Sequence, residues 1–237
     1  MCTPWSRRRT RRLVVFITAL GILLTASPPA GAATVIRVNK HAPNCSDAGP
    51  GTPQRPLCTI GAGAARAVAG DTVLVAPGTY DEQVDVPRSG TAANPIVLAA
   101  VGDSPVTVRG QDHGFQLSSR SWVTIRGFRI VDTLDHGIDV SGGSHLTIEG
   151  NEVAGAGRPE QGAIARGISL SSTTNSIVER NHTHGNSDAG IFIGTGATGN
   201  YVARNTTSDN ARVYTRAAAG IDIRGPSTTV TLSLIHI

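Results

Sequence analysis

The sequence predicts an all-β fold built as a solenoid, with one coil of chain per repeat. Three observations carry this expectation. A Gly-apolar-x-apolar tetrad recurs at Gly114-Phe115-Gln116-Leu117, Gly137-Ile138-Asp139-Val140, Gly167-Ile168-Ser169-Leu170, Gly190-Ile191-Phe192-Ile193 and Gly220-Ile221-Asp222-Ile223, with starts 23, 30, 23 and 30 residues apart. A second short strand follows the first four tetrads, at Val123-Thr124-Ile125, Leu146-Thr147-Ile148, Ser176-Ile177-Val178 and Asn200-Tyr201-Val202. Three residues beyond the last three of these stands an asparagine: Asn151, Asn181 and Asn205. Short period-2 strands punctuated by Gly, Asn and Ser turns argue against helix. One coil cannot bury its apolar face alone, but stacked coils place Ile on Ile in a continuous core, about 4.8 Å apart. Aliphatic stacking also explains how a chain with 4% aromatic residues builds a core.

The elements can be taken in chain order. Arg7, Arg8, Arg9, Arg11 and Arg12 precede an apolar run, Leu13 to Leu24, and then Ala30-Gly31-Ala32. A basic start, an apolar run and small residues form the order of a secretory signal, expected over residues 1–32. The run is shorter than the roughly 20 apolar residues of a membrane span, so export rather than anchoring is expected. Without those five arginines the charge passes from +4 to −1, since 16 basic residues then face 17 acidic ones. No basic stripe with interleaved aromatics remains, and nucleic acid is set aside as a partner. Cys45 and Cys58 are the even pair left after the signal, and in an exported protein they are expected to form a disulfide. Residues 33–231 are assigned to the solenoid. Leu232 to Ile237 break the expected asparagine register and resemble a non-native tail, with further coils expected beyond it in the natural chain. The aligned asparagines are expected to turn inward as a ladder, although Asn181-His182-Thr183 and Asn205-Thr206-Thr207 also match glycosylation sequons.

The pattern from Thr34 to Thr231 resembles the right-handed parallel β-helix of the pectate lyase superfamily. Ala69-Gly70-Asp71 followed by Thr72-Val73-Leu74-Val75-Ala76-Pro77-Gly78-Thr79-Tyr80 resembles the first coil of such proteins, where a short helix caps the open end of the core; the resemblance implies that Ile60 to Ala69 supplies that helix. The resemblance implies a secreted protein whose tetrad strands, with their preceding turns, form a sugar-binding face. It is specific for fold and weak for activity, because one fold hosts many chemistries.

If the first and third residues after each tetrad glycine point inward, the second points out. The outer row is then Gln116, Asp139, Ser169, Phe192 and Asp222, of which Gln116, Ser169, Phe192 and Asp222 are the expected substrate-binding residues. Asp112-His113-Gly114 and Asp135-His136-Gly137 repeat one coil apart, which stacks their acids. Oxygen-rich clusters of this kind suit calcium. Asp135-His136-Gly137-Ile138-Asp139 resembles the Asp-Asp-Gly-x-Asp calcium motif of family nine polysaccharide lyases, with His136 replacing the middle acid. The resemblance implies a calcium site at Asp112, Asp135 and Asp139. The chain has no lysine after Lys40, so Arg166 and His136 are the candidate catalytic residues. Arg166 suits a substrate carboxylate better than proton abstraction, because its pKa is very high. His136 titrates near neutral pH. The two longer repeats carry loops at about 152–166 and 206–219, in which Asn210, Arg212, Tyr214 and Arg216 suit a sugar acid.

Two functions follow as expectations. The first is a secreted, monomeric carbohydrate-active protein that binds or degrades acidic polysaccharide, with lyase chemistry if it is an enzyme. The alternative is a noncatalytic glycan-binding or cell-surface structural β-helix.

Overall fold

The computed structural model describes residues 33–157, 164–211 and 219–236. The expected signal, and Arg212, Tyr214 and Arg216, lie outside them. Every strand ladder in the three sheets is parallel, and each coil contributes one strand to each sheet in turn. The eight-stranded sheet stacks Val35–Val38, Thr72–Val75, Ile96–Ala100, Val123–Arg126, Thr147–Glu149, Ile177–Glu179, Tyr201–Ala203 and Thr229–Thr231. The seven-stranded sheet stacks Gly78–Tyr80, Val106–Arg109, Arg129–Val131, Glu152–Ala154, His182–His184, Thr206–Ser208 and Leu234–Ile235. The tetrads build the six-stranded sheet: Val84–Asp85, Phe115–Ser121, Ile138–Ser144, Ile168–Ser171, Ile191–Ile193 and Ile221–Ile223.

The register is the one the tetrads predict. Phe115, Ile138, Ile168, Ile191 and Ile221 pair in sequence along one internal column. All but Ile221 are fully buried. The tetrad glycines have a steric cause. A Cβ on Gly137 would lie 2.7 Å from the Gly167 carbonyl oxygen, and one on Gly190 would lie 2.8 Å from that of Gly220. The corner carbonyl of the next coil therefore fills the space a side chain would need.

Asparagine columns fix the corners. The side-chain oxygen of Asn181 accepts from the Asn151 backbone N–H at 2.9 Å, and that of Asn205 accepts from the Asn181 N–H at 2.9 Å. Their amide groups donate to the carbonyls of Ile148 and Val178. Asn181 and Asn205 are buried, so the sequon reading gives way to the inward ladder. A second column holds Asn186 and Asn210: Asn210 Oδ1 accepts from Asn186 Nδ2 at 2.8 Å, and Asn210 Nδ2 donates to the Thr183 carbonyl at 3.0 Å. Asn210 is thus an internal corner residue rather than a sugar contact, since both ends of its amide are engaged by backbone and neighbouring coil.

The capping helix spans Ile60–Arg66, shorter than expected, because Ala67 turns to extended backbone and Asp71 takes up the Val68 N–H. Its first turn is held by Thr59 and by the Glu82 carboxylate, which accepts from the Ile60 and Gly61 N–H groups. Gly63 lets it dock closely, since a Cβ there would meet Val73 at 2.7 Å. Cys45 and Cys58 are joined, with Cα atoms 5.1 Å apart. At the other end, Leu234–Ile235 continue the seven-stranded sheet beside Thr206–Ser208. The asparagine position falls on Ser233, and its hydroxyl accepts from the Asn205 N–H. No helix among the described residues is long and apolar enough to cross a membrane.

Candidate functional site

The outer row of the six-stranded sheet is Gln116, Asp139, Ser169, Phe192 and Asp222, paired rung by rung. Beside it run Ser118, Ser141 and Ser171. Gln116, Asp139 and Asp222 are partly exposed, whereas Ser169 and Phe192 are buried. An outward-pointing position here is not an open one: Phe192 is roofed by the Arg166 guanidinium, centred 3.6 Å above its ring. Ser169 and Phe192 therefore support the site from below rather than offering an open surface to a ligand.

Arg166 is held from two sides. Its Nε donates to Asp188 Oδ2 at 3.2 Å, and both side chains are largely enclosed. Arg224 stands 5.2 Å from the centre of the same ring and donates to Asp222 at 2.8 Å. Two guanidinium groups thus lie within cation–π distance of one aromatic ring, Arg166 enclosed and Arg224 more exposed. Asp188 and Arg224 were not singled out from the sequence. Asp188 had a signal, because it stands two residues before its tetrad glycine, as do Asp112 and Asp135.

The corner before the sheet carries the repeated acid and histidine. The Asp135 N–H donates to the Asp112 carbonyl at 2.8 Å, which places the two Asp-His-Gly turns on adjacent coils. The rings of His113 and His136 are 5.8 Å apart. Gly137 N–H donates to the Arg166 carbonyl, which puts Arg166 on the next coil of the same corner. An open cleft of about 480 Å³ lies here, lined by Asp112, His113, Leu134, Asp135, Ile164 and Ala165.

His136 has the most informative surroundings. Its Nδ1 lies 2.7 Å from Asp135 Oδ1, and its Nε2 lies 4.0 Å from Asp139 Oδ1. The Arg166 backbone N–H also points at Nδ1, at 3.2 Å. One nitrogen cannot both donate to Asp135 and accept from Arg166. The shorter contact decides it, because two bare lone pairs at 2.7 Å would repel. The proton therefore belongs on Nδ1, and Nε2 carries the free lone pair. Burial pushes the His136 pKa below the ordinary imidazole value, against the opposing pull of Asp135 and Asp139. The ring is neutral at neutral pH and oriented by a carboxylate, the arrangement a general base requires.

Residues 40–231 match the family model described as Pel9A-like, right handed beta helix region. The chain belongs to this family. Among solved structures, it superposes on pectate lyase Pel9A with a TM-score of 0.56 and 16% identity, over 76% of this chain and 56% of that one. The structure of XylC with xylose gives a TM-score of 0.65 and 13% identity, over 84% of this chain and 58% of that one. YwoF of Bacillus subtilis (strain 168) is 38% identical over 69 residues, which are 29% of this chain and 15% of YwoF. The chain thus spans less than two thirds of each of these proteins. At such identities the two structures share a fold with this Pel9A-like chain.

The acids that the calcium resemblance selects do not meet around one point. Among the described residues, no group of three or more His, Cys, Asp or Glu side chains is arranged to hold a metal ion. The His136 ring has one nitrogen toward Asp135 and the other toward Asp139. As arranged, this donor set does not fit calcium: the histidine binds Asp135 and stands between it and Asp139.

Proposed function

We propose that this chain is a secreted carbohydrate-active β-helix that takes acidic polysaccharide on the outer face of its six-stranded sheet. The observation that carries the reading is the oriented His136 next to the enclosed Arg166, with Arg224 near the same Phe192 ring, on one face. Guanidinium planes suit uronate carboxylates, and the family and its pectate lyase member support a sugar ligand. The disulfide supports an oxidising compartment, and thus export.

If the site is catalytic, its chemistry is β-elimination. His136 Nε2 takes the proton α to the uronate carboxylate, a carbon–carbon double bond forms, the glycosidic C–O bond breaks, and the leaving oxygen takes a proton from solvent. Arg166 then binds the carboxylate and neutralises charge developing on it. Arg166 is not the base in this reading, since Asp188 holds its proton in place. The noncatalytic reading is favoured by the same pairing, which commits Arg166 to a fixed role, and by the acids that do not gather around a metal.

Polygalacturonate and alginate, with the full chain as a monomer in solution, test the proposal. Calorimetry reads binding, ultraviolet absorbance reads unsaturated product, and both are repeated with added calcium. Binding lost in Arg166→Gln supports the site, and product lost in His136→Gln with binding retained supports the lyase. Binding without product leaves a glycan-binding protein. No binding of any uronate polymer overturns the proposal. Calcium that raises the melting temperature of the wild type, but not of Asp135→Asn with Asp139→Asn, would mean that these acids rearrange to take the ion.

A further inference from the structure

A second groove lies on a different sheet. It opens on the outer face of the eight-stranded sheet, with a volume of about 270 Å³. One wall is a column of turn residues on successive coils, Trp122, His145 and Asn175. The floor is the outer row Thr124, Thr147 and Ile177, paired in register. Ala92 and Pro95 close one end. Three coils span two rung steps, or about 10 Å, a length that suits a disaccharide.

The chemistry of this groove differs from that of the first site. The indole of Trp122 stacks on the His145 imidazole, with centroids 4.0 Å apart and planes 12° from parallel. Trp122 is the only tryptophan among the described residues. It sits in the left-handed region, at φ 59°, with His145 at 55° and Asn175 at 49° in the same column. A bulky side chain is uncommon there, and Gly199 takes the equivalent place one coil on. No carboxylate, lysine or arginine lines the groove. In the charged column next to it, Arg180 pairs with Glu149 and Glu179, Arg204 pairs with Glu179, and Arg126 lies in register with Glu149. Among the described residues, no protein group hydrogen-bonds to the Trp122 indole N–H, the Asn175 amide or the Thr124 and Thr147 hydroxyls.

We propose that this groove is a second saccharide site, and that it takes a neutral glycan. A sugar offers an apolar C–H face to an aromatic ring and hydroxyls around its rim. The groove supplies a π-system rigidified by stacking, an apolar floor at Ile177, and hydroxyl, amide and imidazole groups for the rim. The lack of a fixed charge sets its preference against uronates. The inference does not depend on what the six-stranded sheet binds.

The probes are xylohexaose and cellohexaose, with trigalacturonate as the charged comparison. Titrations of the full chain are followed by calorimetry and by ligand-observed NMR up to millimolar concentrations. A neutral hexasaccharide is expected to bind, about tenfold more weakly in Trp122→Ala and with partial rescue in Trp122→Phe. Because Trp122→Ala could disturb the coil, Thr147→Asp offers an independent variant that keeps the ring stack and puts a charge on the floor. It is expected to weaken neutral binding as well. Asp139→Asn, on the other sheet, is expected to leave it unchanged. Absence of neutral hexasaccharide binding overturns the proposal. So does binding retained in both groove variants, or binding that follows Asp139 instead.

Discussion

Replacing Asn181 with Ala tests the ladder that sets the spacing of the coils. The amide of Asn181 makes four hydrogen bonds. Its oxygen accepts from Asn151 N–H at 2.9 Å and from Asn151 Nδ2 at 3.1 Å, and its nitrogen donates to Ile148 O at 2.9 Å and to Asn205 Oδ1 at 3.1 Å. After truncation, Asn151 Nδ2 keeps the Ile125 carbonyl, and Asn205 Oδ1 keeps the Asn181 N–H. The Asn151 N–H and the Ile148 carbonyl each lose a partner while buried. At about 1–3 kcal/mol for each stranded group, the loss is roughly 2–6 kcal/mol, toward the lower end if a water enters the vacated space. Asn181→Asp keeps the shape but sets a carboxylate oxygen against two acceptors. It folds best with a proton on that carboxyl, so its folded pKa rises above the ordinary value of about 3.9. The sign follows: relative to wild type, the variant is best off below pH ~4 and loses stability as pH rises, at about 1.4 kcal/mol per pH unit, until the folded pKa is passed. Urea unfolding across pH, with hydrogen exchange at the Asn151 amide, reads both effects. An alanine loss under about 1 kcal/mol, or an aspartate penalty that does not change with pH, would refute the reasoning.

Four further outcomes are expected. Ile168→Ala, in the fully buried column, should cost roughly 2–5 kcal/mol in urea unfolding; a loss below 1 kcal/mol would contradict the column. Gly137→Ala should yield little folded protein, because its Cβ meets the Gly167 carbonyl, and circular dichroism of the purified variant checks this. A nonreduced digest should give linked Cys45 and Cys58 peptides, and reduction should cost about 3 kcal/mol for so short a loop; alkylation of both thiols without reductant would count against the pairing. His136, with its pKa held down by burial, contributes stability that is fully present above about pH 6.5 and is lost as pH falls through its lower folded value. His136→Gln should therefore flatten the thermal stability profile on the acid side, and an unchanged profile would mean the histidine is not the group concerned.

Much of the fold was legible because stacking is a one-dimensional problem. Once Gly137, Gly167 and Gly190 were aligned, the inward column and the outer row followed from alternation. The first asparagine ladder was equally visible, since Asn151, Asn181 and Asn205 keep step with the strands. The second ladder escaped because Asn210 sits in a longer repeat, where its loop looked like surface. Exposure was harder to read than direction. Ser169 and Phe192 point away from the core, yet Arg166, from the preceding corner, reaches across and covers the aromatic ring. That contact depends on side-chain length and on Asp188 one coil further along, neither of which a strand pattern encodes. The histidine between Asp135 and Asp139 was seen as a departure from a metal motif, but the tautomer it adopts required the distances.

Because successive strands pair in register, groups on any outer column stand at whole multiples of a single step of about 4.8 Å. A linear polymer laid along the axis has a period of its own. Two such scales drift in and out of phase, as on a vernier, so not every rung can meet equivalent atoms of the chain. A graduated surface of this kind favours a few strong marks separated by neutral ones. The six-stranded sheet is graduated in that way: Arg166 and Arg224 gather around Phe192 and His136 stands between Asp135 and Asp139, while Ser118, Ser141 and Ser171 leave small divisions alongside. Inserting or deleting one whole coil would move the marks by a full division without disturbing their alignment, and would change which stretch of a polymer falls into phase.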